Sequence, residues 1–313
     1  MSENQSASNE VTFSVNVDTE LSPTEVDLTK WTPSDMRLSP SKINCFLKCP
    51  RQFYYRYIEK LPDKLTLHLF RGTIVHEILE DIFEKEFKYP SRWRNAEPQE
   101  WAVLEFNKKW KACKKKMPWL WKNPDIDGDR MERETIDLLV NFCHRVEKKL
   151  HELMDWGIAK SKDMAFKQLK PTFSEMRVHN KEYKIMGIID VIRKDFDDNI
   201  SIVDYKTSKR YGSWLPDDYY RQLIIYALLY QEETGLTPKF AGIDWLRYDD
   251  CYFVAINDGV IEEARELIKG IHNEMKKRGD DVEQYEMVPQ TLCKWCAFYK
   301  KPCEPKGIYA KKK

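Results

Sequence analysis

Ile185-Met186-Gly187-Ile188-Ile189-Asp190-Val191-Ile192 and Ile200-Ser201-Ile202-Val203-Asp204-Tyr205-Lys206, separated by the polar Asp195-Phe196-Asp197-Asp198-Asn199, decide the fold. Both apolar runs read as buried central strands, and the polar stretch reads as the turn of a hairpin. With the turn centred on Asp197, residues whose numbers sum to 394 face one another, and Asp190 falls opposite Asp204. Such a pair has its Cβ atoms roughly 5 Å apart. Two unpaired carboxylates this close repel, unless one takes up a proton or a cation lies between them. An oxygen-loving divalent ion such as Mg²⁺ or Mn²⁺ suits that position. Lys206, two residues beyond Asp204, projects from the same face.

Asp-x-Lys by itself is common in a chain with 33% charged residues, and alone it reads most simply as an ion pair or a solvated strand end. Its weight comes from its surroundings. Gly187-x-x-Asp190, Asp204-x-Lys206 and Gln222-x-x-x-Tyr226 follow in order with short connections.

Working outward, residues 172–179 form a strand before the hairpin, a helix spans about 217–233 up to Gly235, strands fall at 239–248 and 251–256, and a last helix covers about 260–278. On the N-terminal side Ser39 caps a helix opened by Pro40, and Pro50 opens an aromatic-rich one. Ile74, Val75, Ile78, Leu79, Ile82 and Phe83 mark an amphipathic helix from Arg71 to Phe87, with His76 near its start. Residues 98–122 read as helix then loop, and a long helix runs from about Met131 to Trp156. The order helix, three-strand meander, helix, strand describes a mixed α/β sandwich. Four segments are expected: an acidic disordered tail at 1–30, a helical region at 31–130, the α/β core at 131–280 and a cysteine-rich segment with a basic tail at 281–313.

Lys and Arg number 52 against 51 Asp and Glu, so net charge lends nucleic-acid binding no support and contacts must come from local patches. No apolar run approaches the roughly 18 residues of a membrane span, and the polar N-terminus lacks the regions of a signal peptide, so a cytoplasmic protein is expected. No GxxxxGK[ST] phosphate loop occurs, which makes a separate helicase the expected source of any ATP-driven unwinding.

As a set, Arg71-Gly72-Thr73-x-x-His76-x-x-Leu79-Glu80, Gly187-x-x-Asp190, Asp204-Tyr205-Lys206 and Gln222-x-x-x-Tyr226 resemble the RecB-type branch of the PD-(D/E)XK nucleases, over about Leu38 to Cys303. The resemblance implies a restriction-endonuclease-like α/β core. It implies a metal held by His76, Asp190, Asp204 and the backbone oxygen of Tyr205, with Lys206 orienting water or steadying charge on phosphorus. Gln222 and Tyr226, on one helical face, would position Lys206 or a phosphate. Glu175, on the preceding strand, reads as an exposed residue, with a further metal contact as the alternative.

Cys293-x-x-Cys296 followed by Cys303 clusters three thiols and calls for a fourth ligand. The related families that carry an iron–sulfur cluster supply it from an N-terminal Cys-Pro before aromatics, which Cys49-Pro50-Arg51-Gln52-Phe53-Tyr54-Tyr55 resembles. That implies a 4Fe–4S cluster on Cys49, Cys293, Cys296 and Cys303, with Cys45 as a rival ligand and structural zinc as the alternative. Cys113, Cys143 and Cys251 read as core or near-surface thiols. Lys108, Lys109, Lys111, Lys114, Lys115, Lys116 and Lys122 interleave with Trp110, Trp119 and Trp121, which describes either a nucleic-acid groove or a solvated helix with its tryptophans in the core.

The resulting expectation is a metal-dependent DNA exonuclease acting on single-stranded DNA or a free end. A flap, branched-DNA or sequence-specific endonuclease and a non-catalytic DNA-binding or assembly subunit remain the other readings.

Overall fold

The computed structural model describes residues 33–84, 97–195, 197–210, 212–248 and 250–304; the expected acidic and basic tails lie outside them. The hairpin forms as its pattern dictates: β2 (Ile185–Lys194) and β3 (Ile200–Lys206) are antiparallel, with Val191 opposite Val203 and Ile192 opposite Ile202. These pairs sum to 394, so Asp190 and Asp204 are the next positions along the same register.

β1 (Phe173–Asn180) flanks β2, and β3 pairs in parallel with β4 (Phe240–Trp245), whose far edge carries the antiparallel β5 (Asp250–Ala255). The sheet order is therefore β1-β2-β3-β4-β5. The parallel β3–β4 step needs a crossover, and the helix α7 (Asp217–Thr234) supplies it, ending at Gly235 with φ 73°.

Eight consecutive α7 residues, Leu223 to Tyr230, are buried, which makes it a helix apolar on every side at the centre of the molecule. It packs on one sheet face with α1 (Pro40–Lys48) and α8 (Asp258–Arg278), both capped by side chains: Ser39 accepts from the Lys42 amide and Asn257 from the Val260 amide. Fully burying each large aliphatic side chain here contributes roughly 1.5–3 kcal/mol. The opposite face, with Val191, Val203 and Tyr205, is covered by α3 (Leu67–Glu84), α4 (Glu97–Lys116), α5 (Gly128–Asp155) and α6 (Lys162–Leu169).

Four features differ from the sequence reading. The helix carrying His76 starts at Leu67, four residues before Arg71, and α5 starts at Gly128 because Asp127 caps it by accepting from the Arg130 amide. The short α6 is absent from the sequence reading: it buries only Ala165 and Phe166, too brief a stripe to register as a period. The helix α2 (Pro50–Phe53) passes directly into a π turn at Tyr54–Ile58.

Candidate active site and metal centre

At the C-terminal end of β3 three elements converge. α3 brings His76, whose Nδ1 lies 3.3 Å from Asp190 Oδ2. The same Asp190 oxygen accepts from the Tyr205 amide at 2.9 Å, tying the two strands together beyond their last paired residues. Asp204 is almost completely buried, and Lys206 Nζ sits 2.5 Å from its Oδ2. From α7, Gln222 donates its Nε2 to Asp204 Oδ1 at 2.8 Å and to Tyr226 Oη at 3.0 Å, while its Oε1 accepts from Lys206 at 3.1 Å.

The structure thus brings His76, Asp190, Asp204, Lys206, Gln222 and Tyr226 into one network. Tyr205 contributes its backbone; its ring turns to the other sheet face, where it meets Phe142 edge-on at 5.6 Å and its hydroxyl accepts from Arg193 at 3.1 Å. Tyr219 was not singled out in the sequence, yet its ring lies 5.1 Å from Lys206 Nζ. Its signal was present: Tyr219 precedes Gln222 by one helical turn and so shares its face.

The electrostatics follow from burial and opposite charge. Burial raises the Asp204 carboxyl to about 6, reinforced by the Asp190 charge and restrained by Lys206. Burial also works against ionised Asp190, but the His76 charge and hydrogen bond outweigh it and hold that carboxyl below its ordinary value. His76 is raised, because Asp190 overcomes the opposing effect of burial. Lys206 is likewise raised by Asp204 and Asp190 against burial. Burial, then the two carboxylates, push the Tyr226 phenol well above its usual range.

In this arrangement His76 and Lys206 supply the positive charge that the two acids require, and no three His, Cys, Asp or Glu side chains among the described residues are drawn together tightly enough to hold an ion as they stand. One feature does fit a cation. Asp204 Oδ2 is a buried oxygen that already faces one cation, the Lys206 ammonium, at 2.5 Å. Two carboxylates and an imidazole are ligands that hard divalent ions accept.

Gly187 explains how α7 comes so close. A Cβ there would stand 2.9 Å from Leu229 Cδ1 and 3.0 Å from Tyr226 Cε1. Along β2, Ile185, Ile189 and then Ile192 join the cluster around α7, so the alternation shifts by one at Asp190. The β1–β2 ladder skips this position and the facing Glu175, which has φ 48°. Glu175 is half-buried rather than exposed.

The cysteine segment folds back on α2. Arg51 Nε donates to the Tyr285 carbonyl at 2.7 Å, Tyr55 Oη donates to the Pro302 carbonyl at 2.9 Å, and the Tyr55 and Phe298 rings lie 5.6 Å apart. Cys49, Cys293, Cys296 and Cys303 together line one cavity of about 250 Å³. All four are free thiols, and the Gln290 amide donates to Cys293 Sγ at 3.3 Å. Cys45 does not line the cavity. Burial lifts its thiol to about 11, as it does those of Cys113 to about 11 and of Cys143 and Cys251 to about 12.

The Lys/Trp stretch divides. Trp110 is core, donating to Glu132 at 3.1 Å, and Trp121 packs edge-on against it at 5.2 Å. Trp119 is exposed, so the stretch matches neither a groove lined by all three tryptophans nor a helix with all three in the core.

This strand pair, helix and crossover belong to a nuclease fold. A family description, "PD-(D/E)XK nuclease superfamily", matches residues 37–303, and the chain belongs to that superfamily. Among solved structures it is similar to the crystal structure of a "Putative exonuclease" from Eubacterium rectale, with 13% identity, a TM-score of 0.48, and 88% of this chain and 91% of that chain covered. Among curated proteins none matches. No helix of the described residues is long and apolar enough to cross a membrane.

Proposed function

We propose that the chain is a Mg²⁺- or Mn²⁺-dependent DNA exonuclease of the RecB type, which hydrolyses phosphodiester bonds from single-stranded ends within the cytoplasm, in repair, recombination or replication. The observation that carries this reading is the meeting of His76, Asp190, Asp204 and Lys206 at the end of β3.

His76, Asp190, Asp204 and the Tyr205 carbonyl would hold the ion, which when bound polarises the scissile phosphate and lowers the pKa of a nearby water. Lys206 offers its ammonium to the charge that grows on the phosphoryl oxygens, and its partners keep it fixed for that task. Gln222 holds Lys206 and Asp204 in register from α7, and Tyr226 orients Gln222 in turn. A separate helicase would supply unwinding. The four segments 1–30, 31–130, 131–280 and 281–313 belong to the same reading.

For the C-terminal segment we infer a 4Fe–4S cluster on Cys49, Cys293, Cys296 and Cys303. In its support, the four thiols line one cavity. The cluster would clasp the two ends of the nuclease region.

Digestion of end-labelled single- and double-stranded DNA with Mg²⁺, Mn²⁺ or chelator tests the reading. Metal-dependent loss of the labelled end is expected, abolished by Asp204→Ala and Lys206→Ala, with circular single-stranded DNA left intact. Cutting of the circle would mark an endonuclease. Undiminished cleavage by both variants would reject the site, and no cleavage by the parent with any metal would favour a binding subunit.

A further inference from the structure

We propose that Trp214 is a base-stacking platform at the edge of the active site, seating a base of the single-stranded DNA whose phosphate lies at Lys206. The proposal rests on the nuclease reading above. Residues 207–216 join Lys206, at the end of β3, to α7, which carries Gln222, so this connection borders the site by its attachment at both ends.

The connection is held from several sides. Arg71, buried on α3, donates to the Thr207 carbonyl at 2.9 Å, and the Ser208 and Tyr219 hydroxyls are hydrogen-bonded at 3.0 Å. Arg210 is the main brace. It pairs with Asp250, lies over the Trp245 ring at 5.3 Å, and donates to the Gly212 and Ser213 carbonyls at 2.9 and 3.2 Å. The buried Trp245 in turn packs against Tyr219 at 6.0 Å, and Tyr219 covers Lys206. A continuous chain of contacts therefore runs from Lys206 through Tyr219, Trp245 and Arg210 to the backbone beside Trp214.

What this scaffold presents is an indole that remains 65% exposed. Gly212 has φ 85°, and a Cβ on it would stand 2.2 Å from the Trp214 ring, so the ring lies over the glycine on one side and is open on the other. An apolar ring left in water gains nothing in folding on its open side. A base supplies the missing flat partner, and a ring already laid against Gly212 on a braced backbone has less freedom to lose on binding. The chain's nuclease family, with exposed Lys209 in the same connection, favours nucleic acid as the occupant, while exposed Asp217 and Asp218 at the start of α7 leave the base face of the strand, rather than its phosphates, on the Trp214 side.

The test uses the full chain in chelator with single-stranded oligonucleotides that carry 2-aminopurine at successive positions from the end. The parent should quench the probe at one or two adjacent positions, and Trp214→Ala should remove that quenching and weaken binding by about five- to a hundredfold, the range of one stacked base. Trp214→Phe should recover part of the loss, and the thermal midpoint should not move. With Mg²⁺ the KM should rise while kcat holds. An abasic nucleotide at the quenched position should weaken the parent but not Trp214→Ala. Equal binding by parent and Trp214→Ala, or a lowered midpoint with unchanged affinity, overturns the platform and leaves the nuclease reading standing. A parent that neither binds nor cuts DNA overturns both.

Discussion

Gln222 reaches Asp204 from the crossover helix, and its Nε2 donates to Asp204 Oδ1 at 2.8 Å. Its Oε1 meanwhile accepts from Lys206, so a single uncharged amide satisfies both signs of charge at the end of β3. Gln222→Leu should retain the fold but leave these groups short of partners, costing about 1–3 kcal/mol. On the proposed mechanism it should also lower kcat by about ten- to a hundredfold, since Lys206 loses its positioning. Chemical denaturation and single-turnover cleavage would measure the two effects separately.

The buried Asp204 sets a pH dependence of stability. Its folded pKa, about 6, lies above the ordinary carboxylate value of 3.8, so between these limits the folded chain holds a proton that the unfolded chain releases. This group's contribution therefore falls as pH rises through that window. In chelator, Asp204→Asn should gain stability relative to the parent from pH 4 to pH 7 by on the order of 1–3 kcal/mol. A difference between the two proteins that stays flat with pH, or shrinks, contradicts the assignment.

Metal removal should act in the same direction. An ion bound by the ionised carboxylates stabilises the fold by mass action, so Mg²⁺ or Mn²⁺ should raise the parent's thermal midpoint more at pH 7.5 than at pH 5. Asp190→Asn should lose most of that rise, as read by scanning calorimetry with and without chelator.

At the cysteine cavity, protein prepared without oxygen should be brown and contain iron and sulfide. A colourless protein with stoichiometric zinc would establish the alternative. Cys303→Ser and Cys49→Ser should both bleach the chromophore and release the segment after Tyr285 to limited proteolysis. Cys45→Ser should keep the colour, because Cys45 stands outside the cavity.

Gly187→Ala places a methyl against Tyr226 and Leu229. Overpacking of this kind typically costs about 1–3 kcal/mol. The thermal midpoint should fall, and activity should fall further than stability alone explains, since Tyr226 anchors Gln222.

The hairpin was legible because two apolar runs and one polar turn admit few registers, and a shift of one residue would turn each strand inside out. The same logic put Lys206 beside Asp204. The crossover helix was legible too, from its length and from Gly235 at its end. The short α6 was not, and neither was the parting of the tryptophans, since Trp110, Trp119 and Trp121 read alike until their neighbours are known. The order of the four cavity cysteines in the chain carried no distance, although their spacing did suggest a common purpose.

By itself, then, the sequence determined the sheet at the heart of this protein, because strand pairing and burial are written in local alternation. It also marked which acids of the two central strands face one another and which lysine ends the second. Only the tertiary structure decided what surrounds them. His76 arrives from a helix more than a hundred residues before Asp190, Tyr219 lies over Lys206, and Arg210 braces the connection beside Trp214. Such contacts depend on how separate elements pack, and packing answers to shape and distance rather than to spacing along the chain.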